Sequence, residues 1–294
     1  MDKKFKVAGI GELLWDLLPQ GKVLGGAPAN FAFHASQLGA EGYVISSVGD
    51  DALGNEIIRR LKACHLNLLV EKVGYPTGTV KVTLNDQGVP EYEIIRDVAW
   101  DHLKLTPEVL NLAAEADAVC FGSLAQRNEA SGKVIGAFLR KARPEALRIF
   151  DINLRQSFYN LGIIEDSIAL ANVLKINDDE VKVVDSLLGL TTESMEKSGS
   201  RLLKKYNLQC VAVTCGINGS WLITNETHSF METPVVDVRD TVGAGDSFTA
   251  ALAMGLLNNK TIHECHALAV GLSAFVCTQA GAMPVHPGYF RDHL

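Results

Sequence analysis

Short apolar runs alternate with longer stretches in which apolar residues recur at helical spacing. Phe5 to Ile10, Tyr43 to Val48, Ala118 to Phe121, Arg148 to Phe150, Val173 to Ile176 and Val211 to Thr214 each predict a buried strand. Between them Ala29 to Leu38 and Leu53 to Cys64 predict helices, and further helical segments follow the later runs. Strands without a polar face, separated by helices, predict βαβ units and a mostly parallel sheet covered on both sides. Two stretches depart from that rhythm. Glu12 to Leu24 is apolar, then turn-rich, and too short for a crossover helix. Thr77 to Ile95 alternates around Asn85-Asp86-Gln87-Gly88, which predicts an antiparallel hairpin with one apolar face. These segments, about 12–24 and 77–101, predict a small β lid inserted in one domain spanning 1–294; an edge hairpin of the main sheet is the plainer alternative.

Composition narrows the function. The chain has 294 residues, 34 acidic and 27 basic side chains and a net charge of -7, with no dense basic stripe to follow nucleic-acid phosphates. No apolar segment nears the ~20 residues that span a bilayer, so no membrane partner is expected. Six scattered cysteines form no C-x-x-C pair and read as reduced thiols of a cytoplasmic protein. Gly9-Ile10-Gly11 lacks the third glycine of a dinucleotide fingerprint because Leu14 stands there, and no P-loop string occurs. His263-Glu264-Cys265-His266 would put Cys265 off the face shared by its histidines, a poor metal set.

The chemistry concentrates in Asp240-Thr241-Val242-Gly243-Ala244-Gly245-Asp246, ahead of an apolar helix-length run from Ser247 to Leu257. Unpaired amides at such a helix start form an anion site, and Gly243, Ala244 and Gly245 let a phosphate approach the main chain. A carboxylate repels a bound phosphate. Asp246 therefore makes sense as a base in phosphoryl transfer, or more plainly as a helix cap. Gly25-Gly26-Ala27-Pro28-Ala29-Asn30 opens the first helix, and Asn30 offers both donors and an acceptor to a polyhydroxylated ligand. Asp16 follows the first strand, where ligands of parallel sheets bind, and can accept from two sugar hydroxyls. Trp15 and Trp100 are candidates for covering the sugar, whereas Trp221 fits a strand core.

Asp240 to Asp246 resembles the second signature of the ribokinase-like (pfkB-type) carbohydrate kinases. Gly25-Gly26-x-x-x-Asn30, continuing to Ser47-Val48-Gly49-Asp50-Asp51-x-x-Gly54, resembles the first, in the same order and spacing. The resemblance implies a three-layer α/β/α fold with a β lid and an ATP- and Mg²⁺-dependent sugar kinase. It implies Asp246 as catalytic base, an anion hole of Gly243, Ala244 and Gly245, and sugar contacts from Asp16, Gly26 and Asn30, to which the glycine pair and the position near the lid add Gly25 and Trp100 as candidates. Asn177-x-x-Glu180 is similar to the family's N-x-x-E motif, which places Glu180 near Mg²⁺ indirectly. Thr214, Gly216 and Gly219 resemble its nucleotide loop, and Ala274 to Ala282, with Gly281, its adenine wall. Asp151-x-Asn153-x-Arg155 resembles an element of the fructokinase branch in which Arg155 faces phosphate. Asp240 would lie near a monovalent cation such as K⁺. Gly11-Glu12-x-x-x-Asp16 resembles bacterial fructokinases more than ribokinases, which implies D-fructose as acceptor at its 6-hydroxyl. Ribose, 2-keto-3-deoxygluconate and a non-catalytic sugar or nucleotide sensor are the alternatives. The apolar face of the lid would serve a homodimer contact or a cover for substrate.

Overall fold

The computed structural model describes residues 4–18, 21–84 and 90–294. The strands in chain order begin with β1 (Lys6–Ile10), β2 (Leu14–Leu18), β3 (Gly21–Gly25), β4 (Glu41–Gly49) and β5 (Asn67–Val73). Next come β6 (Gly78–Leu84), β7 (Pro90–Ile94), β8 (Ala118–Phe121) and β9 (Leu147–Asp151). The last are β10 (Val173–Asn177), β11 (Cys210–Thr214), β12 (Ser220–Ile223) and β13 (His228–Met231). The helices begin with α1 (Ala27–Gln37), α2 (Ala52–Ala63), α3 (Pro107–Glu115), α4 (Glu129–Lys141) and α5 (Leu161–Leu170). They continue with α6 (Asp178–Leu187), α7 (Met195–Tyr206), α8 (Ala244–Leu257), α9 (Ile262–Cys277) and the single turn α10 (Tyr289–Asp292).

Nine strands form the main sheet in the order β13-β12-β11-β10-β9-β8-β1-β4-β5. All its pairings are parallel except those of β11 with β12 and β12 with β13. Successive residues of a strand face opposite ways, so each apolar run feeds two cores. Val7, Cys120, Ile149, Val173 and Ala212 pack with residues of α1, α8 and α9. Ala8, Phe121, Phe150, Leu174 and Val211 pack with residues of α3 to α7. The chain leaves β1 toward β4 on one side and returns through β8 on the other. Beyond the C-terminal end of β1 the topology therefore opens a crevice.

The two irregular stretches meet in a second sheet ordered β3-β2-β6-β7. β6 and β7 are the expected antiparallel pair, and β2 joins β6 in parallel. The turn read over Asn85 to Gly88 lies outside the described residues. The small sheet ends at Ile94, short of the expected boundary at 101. Val98, Ala99 and Trp100 turn into the main core. Asp51 joins the two parts. Its carboxylate caps α2 through the Gly54 amide (2.7 Å) and accepts from the amide (2.9 Å) and hydroxyl (2.7 Å) of Thr77, at the entry to β6.

Candidate active site

Helix α8 starts three residues earlier than its apolar run suggests, because Gly243 takes the left-handed conformation (φ 80°) and supplies the cap without a side chain. A Cβ there would lie 2.6 Å from the carbonyl oxygen of Ala282, so only glycine fits. Ala244 donates to Thr241 and Ser247 donates to Gly243. The amides of Gly243, Gly245 and Asp246 have no hydrogen-bond partner among the described residues. They form a bare, positively polarised helix start. Asp246 sits in that first turn and is not its cap. Its Oδ2 accepts a 2.7 Å hydrogen bond from Asn30 Nδ2.

Asn30 is carried on α1, which enters after Gly26 (φ 130°). A Cβ on Gly26 would sit 2.5 Å from the carbonyl oxygen of Glu12, and one on Gly25 would sit 2.8 Å from Asp16 Oδ2. The glycine pair therefore lets this turn close onto the end of β1 and onto β2. Asn30 Oδ1 and Glu12 Oε2 are buried acceptors without a partner among the described residues. Glu12, only 4% exposed, stands in the Gly11-Glu12-x-x-x-Asp16 motif, but the sequence assigns it no role. Burial pushes Glu12 up to about 7, opposed by backbone hydrogen bonds and Arg155 and reinforced by the Asp246 charge. Burial, then the Asp151 charge, pushes Asp246 up to about 6, against the pull of Asn30, Lys175 and Arg155. Burial also raises Asp16, with Arg155 opposing.

Beneath the bare amides lies a buried ion pair. Lys175 Nζ is 3.0 Å from Asp151 Oδ1, and Thr249 donates to Asp151 Oδ2 at 3.0 Å. Burial works against the Lys175 charge, but Asp151 and Glu180 outweigh it and hold the ammonium above its usual range. A Cβ on Gly245 would come 3.0 Å from that ammonium, which brings fixed positive charge under the helix start. Lys175 was recoverable from sequence as the one charged residue inside the apolar run of β10.

On the other side of this turn opens a cleft of about 640 Å³. Its lining includes Lys175, Asn177, Thr214, Gly216, Gly219, Ala244, Gly245, Ala274 and Cys277. Asn177 and Glu180 form a reciprocal cap of α6, and Glu180 also accepts from the Leu154 amide (2.8 Å).

Several expected placements differ. Trp100 is 1% exposed and lies under Arg127, whose guanidinium sits 3.9 Å from its ring centroid. Arg127 is held there by a bidentate pairing with Asp101, so Trp100 is core and not a cover for sugar. Trp15 is equally buried, donating to the Leu53 carbonyl at 3.1 Å. Trp221 is half-buried against Phe230 on the antiparallel edge. Gly281 does not line the cleft; its amide donates to Asp240 Oδ2 (3.0 Å) and so ties the loop behind Gly243. Asp240 Oδ1 accepts from Val242, so this carboxylate organises the turn through both oxygens. Arg155 lies outside the cleft lining, and its charge acts on Glu12, Asp16 and Asp246. His266 bonds Ser220 and Ser229, His263 reaches the same Ser229 hydroxyl, and Cys265 turns away to the Lys260 carbonyl, so the three do not form a metal set.

A doubly covered parallel sheet with a small separate sheet, and an acid set among bare amides at its open end, define a ribokinase-like sugar kinase. The chain belongs to the pfkB family carbohydrate kinases, whose sequence profile matches residues 20–287. It is 33% identical over 273 residues to the uncharacterized sugar kinase PH1459 of Pyrococcus horikoshii, covering 86% of this chain and 83% of that protein. The crystal structure of PH1459 in complex with ATP superposes with a TM-score of 0.81 at 28% identity, over 98% of this chain and all (100%) of that one. The ATP-dependent 6-phosphofructokinase of Thermoanaerobacterium thermosaccharolyticum is 26% identical over 303 aligned residues (96% of this chain, 91% of that protein). The fructokinase of Salmonella typhimurium is 29% identical over 308 (98% and 97%). Among the described residues no helix is long and apolar enough to cross a membrane.

Proposed function

We propose that this protein transfers the γ-phosphoryl group of ATP to a primary hydroxyl of an unphosphorylated ketose, D-fructose at its 6-hydroxyl. The observation that carries this reading is the Asn30–Asp246 contact beside three amides without partners, at the rim of a nucleotide-sized cleft. Asp246 accepts the proton of the sugar hydroxyl as its oxygen attacks the γ-phosphorus. The bond from that phosphorus to the β–γ bridging oxygen breaks, and ADP leaves. The amides of Gly243, Gly245 and Asp246 receive the charge on the transferred oxygens, with Lys175 beneath them. ATP occupies the cleft with its base toward Ala274 and Cys277. Bound Mg²⁺ supplies neutralisation of the phosphate oxygens. The donors fit an indirect site, because both Glu180 oxygens already accept backbone amides and would meet the ion through water. The small sheet closes over the sugar and excludes water as a competing acceptor.

Charge selects among sugars. The acceptor side gathers Glu12, Asp16 and Asp246, and Arg155 is the cation that acts on all three. A second phosphate on the substrate would meet net negative charge there, so the free sugar is favoured over fructose 6-phosphate. Coupled ADP release tests this against fructose, ribose, fructose 6-phosphate and 2-keto-3-deoxygluconate. Highest kcat/KM for fructose supports the assignment; preference for a phosphosugar or for ribose refutes it. Absence of turnover with every sugar tried would favour a sensor.

A further inference from the structure

A buried histidine, His34, and a half-buried one, His286, lie behind the catalytic turn. His34 stands one helical turn after Asn30 on α1, so the two side chains share a face. Asn30 grips Asp246 directly. His34 Nε2 is 2.9 Å from the carbonyl oxygen of Ala282, the residue packed against Gly243. A carbonyl only accepts, so His34 Nε2 carries the hydrogen and Nδ1 is a bare acceptor. That nitrogen lies 2.7 Å from His286 Nε2, which must then donate. His286 Nδ1 is left buried without a partner among the described residues. The chain of bonds thus runs in one direction, from His286 through His34 to Ala282. Burial pushes His34 down to about 3, helped by His286, and pushes His286 down to about 4, so both rings are neutral as this arrangement requires. The walls are apolar: Phe33, Phe275 and Phe290 each meet the His286 ring edge-on or tilted. Such a box would hold leucine or methionine without the cost of burying polar rings. What imidazoles add is direction.

We propose that His34 and His286 are positioning residues, which hold the loop at Ala282 against Gly243 and so keep the bare amides in register with Asn30 and Asp246. This rests on the kinase reading of that turn for its effect on rate, but not for its effect on the loop. The test is backbone hydrogen exchange at Ala244, Ser247 and Gly281, read beside steady-state kinetics, in His34→Leu, His34→Gln and His286→Leu. Glutamine can donate to Ala282 and accept from His286. In His34→Leu the three amides should exchange at least about tenfold faster while those of β10 and β11 do not change. In the same variant kcat should fall about tenfold with sugar KM within about twofold. His34→Gln should restore most of both, and His286→Leu should fall between. Unchanged exchange at the turn overturns the proposal. So does acceleration of turn and central strands together, which would mark the pair as merely stabilising. If His34→Leu does not fold, the comparison of His286→Leu with His34→Gln decides by the same criteria. If the wild type phosphorylates no sugar, the kinase reading falls, and exchange alone still decides whether the histidines hold the turn.

Discussion

Replacing Asn30 by alanine removes one hydrogen bond from Asp246, the proposed base. That bond runs from a neutral amide to a carboxylate at 2.7 Å, in a site where Asn30 is 3% exposed. Hydrogen bonds to charged groups are worth about 1.5–3 kcal/mol, and one pKa unit is about 1.4 kcal/mol. Asn30 lowers the pKa of Asp246, so its loss should raise that pKa from about 6 by roughly one to two units. A general base works when deprotonated, so kcat/KM rises with pH through the pKa of the free enzyme. Glu12, pushed up to about 7, faces the same acid, and the rising limb belongs to the coupled pair. In Asn30→Ala the limb should therefore move to higher pH, with activity lost most severely near pH 6 and least above pH 8. Lost sugar contacts would lower the whole profile without moving it, so the two roles separate in one experiment. A profile that drops but does not shift would refute the electrostatic link between Asn30 and Asp246.

Asp246→Asn should stabilise the fold in mild alkali. The acid is raised above its unfolded value, so its favourable contribution is complete below about pH 4 and is lost as pH rises through about 6. Denaturant unfolding should show a gain of about 1–3 kcal/mol at pH 8 and none at pH 4. Gly243→Ala forces a non-glycine residue into the left-handed region and against Ala282. It should cost about 2 kcal/mol or more in unfolding and raise the KM for ATP. Lys175→Met leaves the Asp151 carboxylate buried without its cation and should lose about 3–5 kcal/mol in the same measurement. Leucine at 100 should lower stability, as loss of a buried indole does, yet leave sugar KM within about twofold, because Trp100 packs under Arg127 in the core.

Six strands of the main sheet were readable because each is a short apolar run between turns, and the hairpin because Thr77 to Ile95 alternates; the edge strand β5 was not, because Glu71 and Lys72 interrupt its apolar run and stand exposed. The second sheet was only half readable. The parallel union of β2 with β6 joins segments some sixty residues apart, and no local period encodes such a pairing. The turn at Gly243 to Asp246 announced itself through small residues that bare the main chain. Its supports were less plain: Glu12, His34 and His286 gain meaning only from partners distant in sequence, and Lys175 stands out only as a charge inside an apolar run. Trp100 shows the opposite error. An indole beside a lid segment suggests a sugar platform, but Asp101 and Arg127 draw it into the core. The run from Pro234 to Val238 has the apolar content of a strand, yet among the described residues no strand partners it, and Val235 and Val238 stand exposed along the cleft.

Asp246 is proposed to take the proton from the sugar during phosphoryl transfer. The most direct test is a single-turnover assay with γ-labelled ATP and fructose, comparing wild type with Asp246→Asn, which preserves shape and can still accept from Asn30. Wild type should move the label to the sugar, and the variant should do so about 10²–10⁴-fold more slowly while binding ATP and fructose normally. Transfer at a comparable rate in both proteins would contradict the account.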